Sequence, residues 1–290
     1  MPQADSHRPL PPTPSHKGRG SLVFFPEPVP PAMTDTPLII ARGLAQRFGT
    51  RTIFRDVSFE VRPGEIFVIL GGSGCGKSTL MKQLIGLLPP TAGHITLHGQ
   101  VITGPAGSAG RDAMRHDIGV MFQSGALFGS MTLLQNVMLP LEIFTSLPPD
   151  GRAAIARVKL ALVGLADAVS MMPAEISGGM ARRAGIARAM ALDPPLLFLD
   201  EPSAGLDPIT SAGLDELILA LRHDLGATFV VVTHELASIM AIADRCLMLD
   251  RAAFPDAGGV IAEGDPRRLR DESAHPTVHA FFHREPLGTG

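Results

Sequence analysis

The chain has 290 residues, of which 45% are hydrophobic and 18% are charged, and its formal net charge is -3 at pH 7. These values are typical of a globular chain with one large domain or two small ones. The small net charge argues against a protein that works by neutralising nucleic-acid phosphates, so we expect no nucleic-acid partner. No apolar run approaches the roughly eighteen residues of a membrane-spanning helix, so any membrane role must come through a partner.

Residues 1–36 differ in composition from the rest of the chain. Ten of the 26 prolines lie within residues 1–37. This composition predicts a disordered extension, and the segment lacks the pattern of a secretory signal. Two explanations fit this segment better than a proline-rich docking motif does. The start codon is misassigned and Met33 is the true start, or the segment is a flexible tail.

The cysteine content indicates the compartment. Cys75 and Cys246 are the two cysteines, and they lie far apart without metal-ligand spacing. This pattern suits a reducing cytosol and predicts neither a disulfide framework nor a zinc site. Cys75 lies in a glycine-rich loop, where we interpret it as a small spacer rather than a redox sensor.

Beyond Pro37, short apolar runs alternate with helical stretches, which is typical of βαβ units and a mostly parallel sheet. The runs 66–70, 196–199 and 229–232 are continuously apolar, which predicts strands buried on both faces. Each is followed by residues capable of phosphate or proton chemistry. Because ligands of open α/β sheets bind beyond the carboxyl ends of the strands, we expect one shared site.

A phosphate-binding loop follows the first of these runs. The loop fits G-x-x-x-x-G-K-[ST] and precedes a helix predicted over residues 79–88. Its backbone N–H groups and the helix start can cradle phosphates, while Lys77 reaches the β and γ phosphates and the Ser78 hydroxyl binds Mg²⁺. The expected nucleotide contacts here are Gly71, Gly72, Ser73, Gly74, Cys75, Gly76, Lys77, Ser78 and Thr79.

Two acids follow the second run and a histidine follows the third. Asp200 is expected to hold Mg²⁺ through water, and Glu201 to act as general base on the attacking water. A solvated turn is the alternative for the acid pair, but Pro202 stops the strand directly after it. His234 is placed to contact the γ-phosphate, although a lone histidine is more often structural.

A second possible anion-binding helix start lies at Ser177, Gly178 and Gly179. Serine suits the capping position, and the glycines allow a ligand to approach the backbone of a helix that runs to about Ala191. A plain helix cap is the alternative interpretation.

The order of these motifs resembles that of the ABC ATPase family over about residues 38–265. Residues 71–78 correspond to the family's Walker A motif, Gln123 to its Q-loop, and Ser177 to Gly179 to its signature. Asp200 and Glu201 correspond to its Walker B motif, Asp207 to its D-loop, and His234 to its switch histidine. The resemblance implies ATP and Mg²⁺ as cofactors, and a metal site of Ser78, Gln123 and Asp200. It assigns catalysis to Glu201, His234, Gln123 and Lys77, and implies that Phe48 stacks on adenine. On sequence alone, Phe48 is equally suited to the core.

The resemblance also implies a dimer. In the family, the helix start that carries the signature binds the γ-phosphate of the ATP held by the other subunit. Each chain therefore contributes half of two different ATP sites. Asp207 then lies across the interface and also caps the helix that begins at Pro208. Only one set of motifs is present, so the second ATPase is most simply a copy of this chain.

Three segments resemble the ATPases of Mla-type, MCE-associated lipid transporters. They are residues 122–132, the signature variant 177–183 with Met180 where Gln is usual, and residues 207–210. The resemblance implies phospholipid transport between inner and outer membranes, powered from the cytoplasmic face of the inner membrane. Its partners would be an integral-membrane permease and a periplasmic MCE lipid-binding protein. The apolar side chains expected to meet the permease are Leu127, Phe128, Met131, Leu133 and Leu134.

The expected fold is α/β: a RecA-like P-loop NTPase core with an antiparallel β portion over residues 37–264, and a helical subdomain inserted at about 126–191. Residues 265–290 are expected to form a helical tail that packs on the neighbouring subunit or frays. A small-solute or drug transporter ATPase shares every catalytic residue and remains an alternative. A soluble ABC protein of DNA repair or translation is disfavoured, because the sequence has no paired ATPase domains, coiled-coil insertion or zinc module.

Overall fold

The structure, a computed structural model, describes residues 36–103, 114 and 116–286. The described residues fall within one compact unit that begins at Pro31. The predicted disordered extension therefore lies, except for Thr36, outside the described residues. The last residues of the predicted tail, 287–290, also lie outside them.

Two β-sheets account for the strands of the described residues. The strands are β1 (Ile39–Phe48), β2 (Arg51–Val61), β3 (Ile66–Gly71), β4 (Ala92–Leu97), β5 (Gln100–Val101), β6 (Ile118–Met121), β7 (Leu196–Asp200), β8 (Thr228–Val232), β9 (Arg245–Asp250) and β10 (Gly259–Gly264). One sheet has four antiparallel strands in the order β2-β1-β4-β5. The other has six in the order β10-β9-β3-β8-β7-β6, parallel except for β10.

Helices connect the parallel strands and fill the region between β6 and β7. They are α1 (Lys77–Leu84), α2 (Leu133–Phe144), α3 (Pro149–Leu162), α4 (Gly178–Ala189), α5 (Pro208–Leu225), α6 (Leu236–Ile242), α7 (Pro266–Glu272) and α8 (Pro276–His283). Short 3-10 turns lie at Gln123–Gly125, Ala166–Ala168 and Pro173–Glu175. The parallel sheet, antiparallel portion and inserted helices confirm the predicted fold class, while the exact domain boundaries stay a prediction.

The six-stranded sheet forms a middle layer, because β3 is buried on both faces. Ile66, Val68 and Leu70 pack in a core with the helices, whereas Phe67 and Ile69 pack in a second core with the antiparallel sheet. In the second core the ring of Phe67 stacks on Phe59 of β2, with centroids 5.3 Å apart. The continuous apolar runs therefore form the doubly buried strands that their composition predicts.

Helix boundaries follow local chemistry. Asp207 caps α5 by accepting hydrogen bonds from two backbone N–H groups, Pro208 occupies the first turn, and Gly226 ends the helix with φ 64°. The helix predicted over residues 79–88 is α1, which begins and ends earlier. Gly86, at φ 71°, follows its last turn in a left-handed conformation that does not continue a helix.

The predicted C-terminal tail consists of α7 and α8 within the described residues. Val278 and Phe282 of α8 are buried in the core that contains the helices. The tail therefore packs on its own chain here, and packing on a neighbouring subunit is not needed to bury these side chains. Among the described residues, no helix is both long enough and apolar enough to span a bilayer.

A close contact between β6 and α4 gives a test of this packing. A Cβ added at Gly119 would lie 2.1 Å from the carbonyl oxygen of Ala189. We expect Gly119→Ala to destabilise the fold by about 1–3 kcal/mol, because two backbones must separate in a packed core. Gly129→Ala is the matched control, since nothing lies within 4 Å of its added Cβ. Thermal melts should separate the two variants, and equal melting temperatures would contradict this packing.

Candidate functional site

The sheet register brings three strand ends together. Ile69 of β3 pairs with Val232 of β8, and Val232 pairs in turn with Asp200 of β7. Because the three strands are parallel, the loops that follow them leave the sheet at the same edge. These loops contain the glycine-rich segment, the acid pair and His234, so the structure assembles the shared site that the sequence predicts.

The glycine-rich loop is held close to its surroundings. A Cβ at Gly71 would lie 2.2 Å from the backbone oxygen of Leu249, and a Cβ at Gly76 would lie 2.8 Å from the ring of Phe54. Both glycines have positive φ, 145° and 106°. Only glycine satisfies both conditions without moving the backbone, so the loop conformation depends on these positions.

Lys77 lies over this loop. Its Nζ donates hydrogen bonds to the carbonyl oxygens of Gly71 at 2.8 Å and Gly72 at 3.2 Å. Ser78 is exposed in the first turn of α1. The ammonium group and the amino end of α1 therefore form a positively polarised cradle, which suits phosphate groups.

Glu201 and His234 are in direct contact. The distance between His234 Nδ1 and Glu201 Oε1 is 2.9 Å. Because an ionised carboxylate only accepts, a hydrogen bond in this pair requires the tautomer with the proton on Nδ1. Glu201 itself has φ 48°, a left-handed conformation that costs a side-chain-bearing residue roughly 1–2 kcal/mol. Backbone strain of this kind concentrates at functional sites.

Burial destabilises the ionised form of Asp200. It raises the pKa of the carboxyl, the neighbouring charge of Glu201 raises it further, and Lys82 and Lys77 partly oppose both effects. Asp200 Oδ1 is buried without a hydrogen-bond partner. An uncompensated carboxylate oxygen of this kind fits a bound cation.

The oxygen donors near Asp200 suit magnesium. Gln123 follows β6, which pairs with β7, so it leaves the sheet beside Asp200, and Ser78 contributes a hydroxyl from α1. Carboxylate, amide and hydroxyl oxygens are ligands that Mg²⁺ accepts together with water. In the described part of the chain, no group of three or more His, Cys, Asp or Glu side chains is arranged to hold a metal ion. A cation site here therefore depends on this mixed set of oxygens.

The second helix start has the predicted cap. Ser177 precedes α4, and its Oγ accepts a hydrogen bond from the backbone of Met180 at 3.3 Å. A Cβ at Gly179 would lie 2.5 Å from Thr210 Cγ2, so α4 approaches the start of α5 closely. Asp207 caps α5, and its pKa is lowered, chiefly by the hydrogen bond from the Thr210 hydroxyl.

The remaining predicted residues have different environments. Phe48 ends β1 with 51% of its surface exposed, which excludes the core alternative and leaves adenine stacking as the prediction. Gln123 is exposed in its 3-10 turn. Cys75 is buried, and burial raises the pKa of its thiol, which agrees with a spacer rather than a redox sensor.

The predicted permease-contacting segment is only partly exposed, so this prediction was wrong in part. Leu133 is fully buried, because it begins α2 and turns toward the helix-containing core. Leu127, Met131 and Leu134 are half-buried. Phe128 alone of the five is exposed, at 50%. A contact surface in this segment would therefore centre on Phe128.

A cavity of about 680 Å³ lies on the β9 side of the glycine-rich loop. Gly72, Ser73 and Cys75 line one side, and Thr277 and Phe281 of α8 line another. Lys77, Ser78, Asp200 and Glu201 are not among its lining residues. The cavity is therefore separate from the acid pair.

Arg182 is a buried side chain near the acid pair that no motif in the sequence indicates. This residue of α4 is 6% exposed, and its Nη2 donates to the carbonyl oxygen of Ala204 at 2.9 Å. The available signal was a pair of arginines, Arg182 and Arg183, in a helix otherwise rich in small residues. Sequence pattern alone does not tell which of the two is buried.

Comparison with known proteins identifies the class. The sequence profile described as ABC transporter matches residues 54–204, about half of the chain. The chain belongs to the ABC transporter family and carries its ATP-binding domain, so it is an ATPase that binds nucleotide.

Particular relatives are similar over most of the chain. The intermembrane phospholipid transport system ATP-binding protein MlaF of Escherichia coli K12 is 42% identical over 234 residues, which cover 79% of this chain and 86% of MlaF. The probable ribonucleotide transport ATP-binding protein mkl of Mycobacterium tuberculosis H37Rv is 39% identical over 250 residues, covering 86% of this chain and 67% of the relative.

Solved structures agree on the fold. CbiO1 from Clostridium perfringens, described as part of the ABC transporter complex cbiONQ, matches with a TM-score of 0.72 and 27% identity, covering 81% of this chain and 91% of that chain. The dimeric ATP-binding cassette MJ0796 in a post-hydrolysis state, bound to ADP and Pi, matches with a TM-score of 0.69 and 27% identity, covering 78% and 98%.

The unpartnered carboxylate gives a stability prediction. Asp200→Asn should raise the melting temperature without nucleotide by about 2–4 °C, the shift that about 1 kcal/mol produces in a domain of this size. Folding raises the pKa of this carboxyl above its ordinary value of 3.8. The stability of the wild type therefore falls as the pH rises from 3.8 through the higher pKa of the folded state. The variant should lack this fall. Asp207→Asn, at an exposed carboxylate whose pKa is lowered, is the control and should give no increase. A lower melting temperature for Asp200→Asn would contradict the prediction.

Proposed function

We propose that this chain is the ATP-hydrolysing subunit of a transporter that moves phospholipid between the inner and outer membranes. The Glu201–His234 contact beside the phosphate-binding loop carries the hydrolytic part of this proposal. The name and 42% identity of MlaF support the phospholipid cargo. In this proposal the chain works at the cytoplasmic face of the inner membrane, beneath an Mla-type permease and a periplasmic MCE lipid-binding protein.

Each site residue has a proposed task. Lys77 exchanges the loop carbonyls for the β and γ phosphates, which the backbone N–H groups also bind. Glu201 accepts a proton from the attacking water, and His234 holds Glu201 Oε1 and contacts the γ-phosphate. Ser78, Gln123 and Asp200 would hold Mg²⁺, which would supply positive charge to the phosphates. Phe48 stacks on the adenine.

A second copy of the chain would complete the site. The start of α4, at Ser177 to Gly179, is proposed to grip the γ-phosphate of ATP held by the partner copy. Asp207 lies at the proposed interface, and the neighbouring Ile209 is an apolar side chain with 85% of its surface exposed. A partner surface at this position would remove the Ile209 side chain from water. The MJ0796 cassette, which is dimeric, supports the proposal of a dimer.

Loss of the general base should separate binding from turnover. We expect Glu201→Gln to lower ATPase activity at least about a hundredfold, the scale of a general-base contribution, while ATP binding persists. Lys77→Ala should instead weaken ATP binding, because it removes a contact to the phosphates. Nucleotide affinity and phosphate release measure the two effects. Near-wild-type turnover in Glu201→Gln would exclude Glu201 as the base.

The cargo is tested with the complete transporter. Reconstituted into vesicles with its permease and MCE protein, the complex should move labelled phospholipid in an ATP-dependent manner, and Glu201→Gln should abolish the movement. Stimulation of the ATPase by a small soluble substrate and not by lipid would instead favour a small-solute transporter.

The permease contact gives a separate prediction. Phe128→Asp should weaken co-purification with the permease from detergent-solubilised membranes while leaving nucleotide affinity unchanged, because a charge replaces the exposed ring. Val158→Asp is the matched control, since Val158 is an exposed apolar residue, at 58%, on α3. Equal permease recovery for both variants would exclude Phe128 from the contact.

A further inference from the structure

Three histidines recur at four-residue intervals along α8, the last helix of the described residues. His275 caps the helix, and His279 and His283 lie within it. All three are exposed, whereas Val278 and Phe282 of the same helix are buried in the core. Residues four apart lie on the same face of a helix, so α8 carries a row of imidazoles on its outer side.

The rings of His279 and His283 are stacked. Their centroids lie 4.0 Å apart, and the angle between their planes is 15°. Two imidazole nitrogens on one tetrahedral ion are about 3.4 Å apart, since each Zn–N bond is about 2.1 Å long. Small rotations of the two side chains therefore bring one nitrogen of each ring within bonding distance of a shared ion.

The partners of the two Nδ1 atoms leave the Nε2 atoms available. His283 Nδ1 lies 3.0 Å from the carbonyl oxygen of His279. A carbonyl oxygen only accepts, so in a neutral imidazole this bond requires the tautomer with the proton on Nδ1 and the lone pair on Nε2. His279 Nδ1 lies 3.4 Å from Glu285 Oε2, and a carboxylate there favours the same tautomer. Imidazoles that bind metals through one nitrogen commonly donate the other N–H to such a carbonyl or carboxylate.

The end of α8 places Glu285 beside His279. Arg284 adopts a left-handed conformation with φ 56°, and the N–H of Glu285 donates to the carbonyl oxygen of Ala280 at 2.9 Å. This turn closes the helix and folds the chain back along it. Backbone geometry therefore holds the carboxylate near the imidazole pair, where its charge also favours a bound cation.

His275 has the opposite arrangement. Its Nδ1 accepts a hydrogen bond from the backbone N–H of Thr277 at 3.3 Å. In a neutral imidazole the proton then lies on Nε2, which leaves no free lone pair for a metal ion. The pair suited to a metal is therefore His279 with His283, and not His275 with His279.

We propose that His279 and His283 form a binding site for a divalent transition-metal ion. Imidazole nitrogens suit Cu²⁺, Ni²⁺ and Zn²⁺, of which Cu²⁺ binds most tightly, whereas Mg²⁺ prefers oxygen. Because no group of three or more His, Cys, Asp or Glu side chains is arranged around a metal position in the described residues, water completes the coordination. The site is separate from the acid pair and does not depend on the proposed transport function.

A bound ion would stabilise one wall of the cavity beside the glycine-rich loop. Thr277 and Phe281 of α8 line this cavity, and so does Glu285. An ion that joins His279 to His283 links consecutive turns of the helix. It favours the helical state, because only that state holds both rings together.

Copper titration of the full-length chain, with Mg²⁺ in excess, tests the site. The wild type should bind Cu²⁺ and give an electron paramagnetic resonance spectrum with coupling to two imidazole nitrogens. His279→Asn and His283→Asn should each weaken this binding at least about a hundredfold, because the second imidazole of a chelate binds intramolecularly. His275→Asn is the matched control on the same helix. Asparagine also caps helices, so this variant should keep the wild-type Cu²⁺ affinity.

Thermal melts check that the variants fold, which substitutions at exposed positions usually allow. The nitrogen count in the wild-type spectrum does not depend on any variant. Coupling to a single nitrogen in the wild type, or no Cu²⁺ binding at all, would overturn the inference. Unchanged affinity in His279→Asn and His283→Asn would overturn it too, as would an equal loss in His275→Asn.

Discussion

Backbone pairing across three buried strands sets the geometry of the site. Ile69, Val232 and Asp200 are successive register partners across β3, β8 and β7. A slip of one residue in β7 would move Asp200 from its partner and turn each side chain of the strand to the opposite face. The core packs against both faces of these strands and resists such a slip. The distance between the phosphate-binding loop and the acids is therefore a property of the core rather than of the loops.

The acid pair at the end of β7 places negative charge where burial disfavours it. Asp200 and Glu201 are adjacent, each has a buried oxygen without a partner, and Glu201 adopts a left-handed backbone conformation. Burial and mutual repulsion both disfavour two ionised acids at one strand end. Lys77 and Lys82 reduce the effect at Asp200. Local instability of this kind is consistent with a site that becomes fully satisfied only when its ligands bind.

Sequence patterns predicted those parts of the structure that depend on local chemistry. Continuous apolar runs predicted the buried strands, and Asp207 before Pro208 predicted a helix start. The patterns failed where distant packing decides. Nothing in the sequence separates Leu133 from the half-buried Leu134 beside it, but α2 turns Leu133 into the core. Arg182 and Arg183 are alike in sequence, and long-range contacts distinguish them: Arg182 donates to Ala204, 22 positions away, whereas Arg183 donates to Val163 and Gly213.

Helix α4 connects the site to the surface proposed for the permease. Arg188 donates to the carbonyl oxygens of Gly125 and Ala126, and its guanidinium lies 5.8 Å from the centroid of the Phe128 ring. A Cβ at Gly185 would lie 2.9 Å from the Cα of Gly125, so the helix and the segment after Gln123 are in close contact. Packed backbones transmit displacement because they have no free volume to absorb it. We therefore expect any displacement of α4 to be transmitted to the Phe128 segment, and a displacement of Phe128 to be transmitted back to α4.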